Sequence, residues 1–532
     1  MPTLDEIRQH LADKRVVRGR GNPAAMIHLI GEAPGALEDD KGIPFCGPSG
    51  QELERMCRAA GFTFNDCYIH NVIPYRPPQN KLKGLSVTPD FFYPLLDDFY
   101  SQWKPNIIVP LGNTALEAVY GDRRITKWRG SILNSKYNIK CIPTIHPADL
   151  FREWSWRNVI IWDLNRVNQE STSAVIHLPQ RTFITRPTFD QAMDELIALR
   201  NEQELAIDIE GRANGISCIG LAARPTSAIC IPFTTANGSS YWNDFEEVEI
   251  WKELSQLLYN PNSKKIFQNA SFDVAILYLY SLVTQGEIWD TMWMHNCLWP
   301  ELPHGLDFQT SVYTREPYYK DDGKIWLKSI PENDFWIYNC KDAAVTFEIY
   351  QCELRELQQK GLLEFYKKHY MNLQPVTIES QLFGWRIGLR RRERMSITWA
   401  KYVVDSELEL NRKATFDVNA MSPKQIMHLL YTHFNLPPQR HPKSGAMTVN
   451  EDALEKLKIK TQHPILDAIL DVRAKRKFKS SYLDVELDRD SRIRCSIGHT
   501  DHGRLKATKF LGRSGTNLQT IPEVGRAFFI AD

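Results

Sequence analysis

The sequence predicts an α/β protein of several domains, and three observations predict it. At 532 residues the chain is too long for one hydrophobic core, and at roughly 100–200 residues per domain it should hold about three or four. In residues 1–178, four apolar runs end in polar or glycine-rich turns, with helix-like stretches between them. From residue 204 onward, further apolar runs follow one another across short turns, as in an antiparallel meander.

The bulk numbers set limits on function. With 43% hydrophobic and 24% charged residues, the chain has an ordinary globular composition with no sign of bulk disorder. A net charge of +1 gives no global electrostatic case for nucleic acid, so any such case rests on local patches. Two basic runs qualify, "LRRRERM" (389–395) and "RAKRKFK" (473–479), each readable as a solvated helix face or as a DNA contact. The ten cysteines form no C-x-x-C pair and follow no signal peptide, which argues for reduced thiols in a cytoplasmic protein. No apolar run approaches the roughly 20 residues of a membrane helix.

The four amino-terminal runs are "MIHLIGEAPG" (26–35), "CYIHNVIPYRPP" (67–78), "NIIVPLGNTA" (106–115) and "CIPTIHPADL" (141–150), with "SGQELERMCRAAG" (49–61) reading as a helix between the first two. Strands alternating with helices imply a parallel sheet covered on both faces, and such sheets bind ligands at the carboxyl ends of their strands. Glu32, Asn71 and His146 fall at such ends. The motifs "GEAPGALEDDKGIPFCGPSG" (31–50), "NVIPYRPPQN" (71–80) and "HP" (146–147) together resemble the uracil-DNA glycosylase superfamily, especially its GEAPG branch. That resemblance implies an α/β/α fold and a pocket that reads an extruded base. In it Phe45 stacks on the base, Asn71 bonds its edge, Glu32 positions or activates water, and His146 stabilises charge on the leaving base. Iron–sulfur members of the branch carry a cysteine pair before GEAPG, one before RPP and one beyond it. Here "HLADKRVVRG" has none and Tyr75 stands before RPP, so no iron–sulfur cluster is expected. Two readings stay open for this domain: base excision, or DNA binding and docking without chemistry.

The strand "ELAIDIEG" (204–211) sets Asp208 and Glu210 two apart, so both carboxylates leave one face. Burying adjacent carboxylates is too costly unless cations or protons neutralise them. "NASFD" (269–273) adds Asp273, and "YNCKD" (338–342) places Tyr338 and Asp342 four apart on one helical face. Four carboxylates and a tyrosine suit two divalent cations, magnesium or manganese rather than zinc. The ordered set resembles the 3′–5′ exonucleases of the DEDD type with tyrosine, which implies a ribonuclease H-like fold. In that family Asp208, Glu210, Asp273 and Asp342 hold metal, Tyr338 orients the attacking water, and Asn269 is a structural hydrogen-bonder. His295 and His304 lack the partners of a zinc site, and Trp293 and Trp299 read as core.

Beyond residue 360 the pattern is helical, with "MSPKQ" and the threonine of "TVNED" as helix starts. This region resembles the thumb of a family A (polymerase I type) DNA polymerase, and "SIGHTDHGRLKATKFLGRSGTNLQTIP" resembles the entry to its palm. DNA-contact candidates are Lys475, Arg476 and Lys477 on phosphates, with Arg504, Asn517 and Gln519 in the minor groove. The expected domains are therefore 1–178, glycosylase-like; 179–360, exonuclease; 361–488, thumb-like; and 489–532, a truncated palm. Family A catalytic aspartates follow "R-x-F-x-AD" motifs, whereas this sequence ends at Asp532. The chain alone is accordingly expected not to polymerise DNA, with palm and fingers supplied in trans or the reading frame interrupted. The resemblance implies a bacteriophage-type replicative polymerase acting on primer-template and single-stranded 3′ ends in a bacterial cytoplasm, with no membrane partner. The rival readings are a stand-alone nuclease and uracil-repair protein, or a non-catalytic assembly subunit of a split polymerase.

Overall fold

The computed structural model describes residues 2–212, 215–323, 331–441, 445–500, 502–510 and 529–530. Asn517, Gln519 and Asp532 lie outside the described residues. Two compact units form, one running to Asn372 and the other beginning at Leu373.

The first sheet has six strands: β1 (Arg20–Gly21), β2 (Ile27–Gly31), β3 (Cys67–Asn71), β4 (Ile107–Pro110), β5 (Leu133–Asn134) and β6 (Lys140–Cys141), in the order β1-β3-β2-β4-β6-β5. The inner four pair in parallel, and the two edges are antiparallel. The two-residue period of a strand sorts side chains between the sheet faces. Ile27, Leu29, Ile107 and Val109 join one core with Leu53, Met56 and Leu164, whereas Ile30 and Ile108 join another with Tyr100, Ala115 and Val119. The helices Pro48–Ala59 and Trp156–Glu170 cover the first face, and Tyr93–Gln102 and Asn113–Tyr120 the second. The fourth apolar run supplies only β6 as strand; beyond it, Leu111 bridges Thr144 and a 3-10 turn begins at Pro147.

The second sheet comprises β7 (Thr182–Ile184), β8 (Glu204–Arg212), β9 (Gly215–Arg224), β10 (Ser227–Pro232), β11 (Lys264–Phe267) and β12 (Ile288–Asp290), in the order β12-β11-β8-β9-β10-β7. The expected meander is present as antiparallel β8, β9 and β10, flanked by parallel partners. The helix Glu332–Gln359 lies across β8, β9 and β10. It approaches closely because Gly220 has no side chain: a Cβ there would sit 2.7 Å from the Asn339 carbonyl oxygen. The segment after it stays with this domain. Tyr366 stacks on Trp289 at 5.5 Å between centroids, and the Tyr370 hydroxyl donates to Asn296 Oδ1 at 3.1 Å.

The second unit is mainly helical. Leu389–Ala414, Pro423–Met427, Glu451–Thr461 and Pro464–Phe478 enclose a core of Leu410, Ile426, Leu429, Leu454 and Ile469. Ser422 caps its helix as the sequence indicates, accepting the Gln425 N–H with Pro423 in the first turn. In "TVNED" the cap is Asn450 rather than the threonine: Asn450 Oδ1 accepts the Ala453 N–H, and Thr448 Oγ1 accepts that of Asn450. Here β13 (Trp385–Ile387) pairs with β14 (Arg492–Ile493) and β17 (Phe529–Ile530), while β15 (Cys495–His499) and β16 (Leu505–Lys509) form a hairpin. Among the described residues no helix is long and apolar enough to cross a membrane.

Candidate functional site

Two candidate sites lie in the first unit. The first gathers at the carboxyl ends of β2, β3 and β4, where Glu32, Asn71 and the turn at Gly112 follow the strands. Gly31 makes the space: a Cβ there would sit 2.5 Å from both the Phe45 ring and Asn71 Oδ1. Phe45 is buried with φ of +53°, a left-handed conformation costly for an aromatic residue, and its ring lies 6.2 Å from that of His146. The start of the helix Pro48–Ala59 presses on it, because a Cβ on Gly50 would collide with the Phe45 carbonyl. Glu32 is held by Thr114, whose hydroxyl donates to Oε2 at 2.5 Å. His146 Nδ1 accepts the Ala148 N–H at 3.1 Å, which places the proton of the neutral ring on Nε2. Burial lowers the His146 pKa, against the pull of Glu32, and keeps the ring neutral. Asn71 Nδ2 is buried without a hydrogen-bond partner among the described residues, a donor waiting for an acceptor. The four sequence-derived residues thus come together, Phe45 and Asn71 around Gly31, and His146 beside Phe45 and Glu32.

At the position of the expected cluster cysteine, Tyr75 packs instead into rings. His10 contacts it at 5.9 Å and Phe92 at 5.9 Å, and the His10 Nε2 and Tyr75 hydroxyl are 3.3 Å apart. These residues offer aromatic carbon and no thiolate, so they do not fit an iron–sulfur cluster.

The second site is built on β8. Asp208 stands opposite Gly220 and Glu210 opposite Cys218, with the register shifting just after Glu210. The helix Glu332–Gln359 lays Tyr338, Asn339 and Asp342 over this strand. Carboxylate oxygens of Asp208, Glu210 and Asp342 lie within 4.8 Å of one another. Asn339 Nδ2 donates to Asp208 Oδ2 at 2.8 Å and to its carbonyl at 3.1 Å. Tyr338 is buried above the acids, and a Cβ on Gly323 would touch its ring at 2.5 Å. Asp273 stands outside the group of three: its Oδ1 accepts the Ile209 N–H at 3.2 Å, between the two β8 acids. Burial, then repulsion from Asp342, pushes Asp208 up to about 7. Burial and the neighbouring acids raise Glu210 and Asp273 well above the carboxylate range. Acids held this close while raised in pKa are a donor set that a hard divalent cation would satisfy.

Other residues settle into supporting places. Asn269, at φ of +71°, starts the helix Ala270–Leu279, and its N–H goes to Asp290 Oδ1 at 2.9 Å. Asp290 also accepts from Ala270 and Met292. As an aspartate opening a helix it was recognisable from the sequence, though sequence reasoning passed over it. His295 and His304 bond to each other at 2.8 Å, and they belong to no metal-competent group among the described residues. Trp293 is core, whereas Trp299 is half-buried under Lys360. Sequence reasoning also missed Tyr319 and Lys320, which both reach Asp342 and give no local signal.

In the second unit the basic candidates differ among themselves. Lys475 donates to Ser406 and Asp471, and Arg476 pairs with Glu407, so both are engaged within the helical bundle. Lys477 is exposed, with Glu451 at 3.9 Å. In "LRRRERM", Arg392 holds the Leu483 and Val485 carbonyls. Arg504 is exposed at the β15–β16 hairpin, where its N–H bonds to Thr500.

Comparison with known proteins gives three family matches. The uracil DNA glycosylase superfamily matches residues 18–166, the 3′–5′ exonuclease family 186–358, and DNA polymerase family A 390–531. The chain is 35% identical to a type-4 uracil-DNA glycosylase of Thermotoga maritima over 164 residues, 30% of this chain and 83% of that one. It is 28% identical to DNA polymerase I of a Synechocystis strain over 382 residues, 67% of this chain and 38% of that one. It is 23% identical to the DNA polymerase of Bacillus phage SP01 over 398 residues, 65% of this chain and 41% of that one. The chain therefore spans well under half the length of these polymerase relatives.

Proposed function

Because the chain belongs to the uracil-DNA glycosylase superfamily through its amino-terminal domain and to the family A DNA polymerases through the regions that follow, we propose that it acts in DNA replication as a 3′–5′ proofreading exonuclease. The observation that carries this reading is the Asp208, Glu210 and Asp342 group beneath Tyr338. Magnesium or manganese, when bound, would supply Lewis acidity and a water of lowered pKa for phosphodiester hydrolysis. Asp208, Glu210 and Asp342 would hold it, with Asp273 at their side. Asn339 fixes the Asp208 oxygen, and the Tyr338 hydroxyl orients the attacking water. A 5′-labelled single strand should shorten from its 3′ end with magnesium or manganese and stay intact in EDTA. Asp342→Asn should abolish the shortening. Digestion unchanged by that substitution would sink the reading.

The amino-terminal pocket supports a second activity, recognition of an extruded uracil. The unpaired Asn71 Nδ2 faces the acceptor such a base offers, Phe45 presents a ring to stack on, and the His146 Nε2 proton can meet charge developing on the leaving base. A 5′-labelled strand with one deoxyuridine, incubated in EDTA and then treated with alkali, separates the outcomes. Cleavage at the uracil establishes excision; an intact strand leaves a domain that binds DNA without chemistry. Lys477 and Arg504 are proposed DNA contacts, and domain limits at 178 and 488 are proposed with them, with the limit between exonuclease and thumb placed at 372 rather than 360. We further propose that these 532 residues by themselves do not polymerise DNA. Templated incorporation by the purified chain would refute that.

A further inference from the structure

The acid site contains a cation that the motifs do not name. The Lys320 ammonium pairs with Asp342 Oδ2 and lies 4.5 Å from the Tyr338 ring centre, and the Tyr319 hydroxyl donates to Asp342 Oδ1 at 2.7 Å. Two consecutive residues of one segment therefore occupy both oxygens of Asp342. That segment is held from the amino-terminal domain. Trp128 meets the Tyr318 ring edge-on at 5.6 Å, and Lys127 lies over the same ring at 4.6 Å. Lys127 also pairs with Asp321 at 2.5 Å, and Ser131 Oγ accepts the Tyr318 N–H at 3.3 Å. Residues 318 and 321 thus face the glycosylase domain, while 319 and 320 face the exonuclease acids. An ammonium so placed neutralises part of a charge that is costly to bury, and it occupies an oxygen that a metal ion would need.

We propose that the glycosylase domain has a second function in this chain: through Lys127 and Trp128 it positions Lys320 as the resident cation of the exonuclease site, in competition with divalent ions for Asp342. The proposal rests on the metal-binding reading of that site. Its test is manganese binding to the full chain without DNA, followed by electron paramagnetic resonance. Lys320→Met removes the competing charge and should tighten manganese binding by about tenfold, whereas Lys320→Arg should bind as the unaltered chain does. Trp128→Ala should shift affinity in the same direction as Lys320→Met, and Trp128→Phe, which retains a ring against Tyr318, should shift it less. Equal affinity in Lys320→Met and the unaltered chain would overturn the proposal. A tightened Lys320→Met beside an unaffected Trp128→Ala would overturn the positioning by the glycosylase domain. If the unaltered chain binds no manganese, the metal reading itself falls and this proposal falls with it.

Discussion

The contact between the two domains of the first unit can be broken at one carboxylate. Arg129 and Asp163 are each 1% exposed, and Asp163 accepts from Arg129 Nε at 2.9 Å, from Arg129 Nη2, and from the Thr144 hydroxyl at 2.7 Å. Arg129 Nη1 continues to Ser311 Oγ at 2.6 Å, across to the exonuclease domain, with the guanidinium 5.3 Å from the Phe308 ring centre. Asp163→Ala would leave the guanidinium buried without its counter-charge, and breaking such a pair costs about 3–5 kcal/mol. Arg166 beside it, already pushed down to about 10 by burial, would lose the same stabilising charge. Because a chain of several domains does not unfold in one step, the readout is the first calorimetric transition together with hydrogen exchange across 125–131 and 306–321. That transition should fall by roughly 5–10 °C, with both segments deprotected together. The double variant Arg129→Met with Asp163→Leu should recover most of the loss, since apolar replacements of a buried pair are often neutral. A single variant that melts within about 2 °C of the unaltered chain would refute the reasoning. So would a double variant that melts no higher than the single one.

Three further outcomes follow from the same structure. Burial lowers His28 to about 4, and His70 and His295 to about 3, from 6.5. The folded chain therefore refuses protons that the unfolded chain accepts, so this stability is complete above pH 6.5 and is lost as pH falls toward 4. Each ring should cost about 2 kcal/mol by pH 5, and a urea-unfolding profile that stays flat between pH 7.5 and 5 would contradict this. Gly31→Ala should abolish base recognition by driving a methyl group into Phe45 and Asn71, at about 1–3 kcal/mol in stability, while magnesium-dependent digestion continues. Asp273→Asn keeps an acceptor for the Ile209 N–H, so comparing it with Asp273→Ala in the digestion assay separates a strand-positioning role from one that needs charge.

Much of the fold was legible because its signals are local. The apolar run "MIHLIG", the acids spaced by two in "ELAIDIEG" and the glycines after the strands each act within a few residues, and the sheets follow from them. Of the pocket residues, Glu32, Asn71 and His146 could be read as lying at strand ends, whereas Phe45, in the loop before the helix Pro48–Ala59, was named only through the resemblance of its motif. The docking of the two domains was not legible. Arg129 reaches Ser311 across 182 residues, and nothing near Trp128 in the sequence points to Tyr318. The basic run "RAKRKFK" shows both sides: a charged helix face could be read from it, but Glu407, which takes Arg476, lies on another helix.

The acids make the same point at finer grain. In the motifs Asp208, Glu210, Asp273 and Asp342 are equal members of one set, yet in the fold they divide by what else their oxygens touch. Asp208 is steadied by Asn339, and Asp342 is covered by Tyr319 and Lys320. Asp273 instead ties the helix Ala270–Leu279 to the β8 backbone at Ile209. Spacing alone could place carboxylates on a common face, because side-chain direction follows the backbone period. It could not show which oxygens remain open to a cation, because that depends on a lysine brought in by a segment braced from another domain.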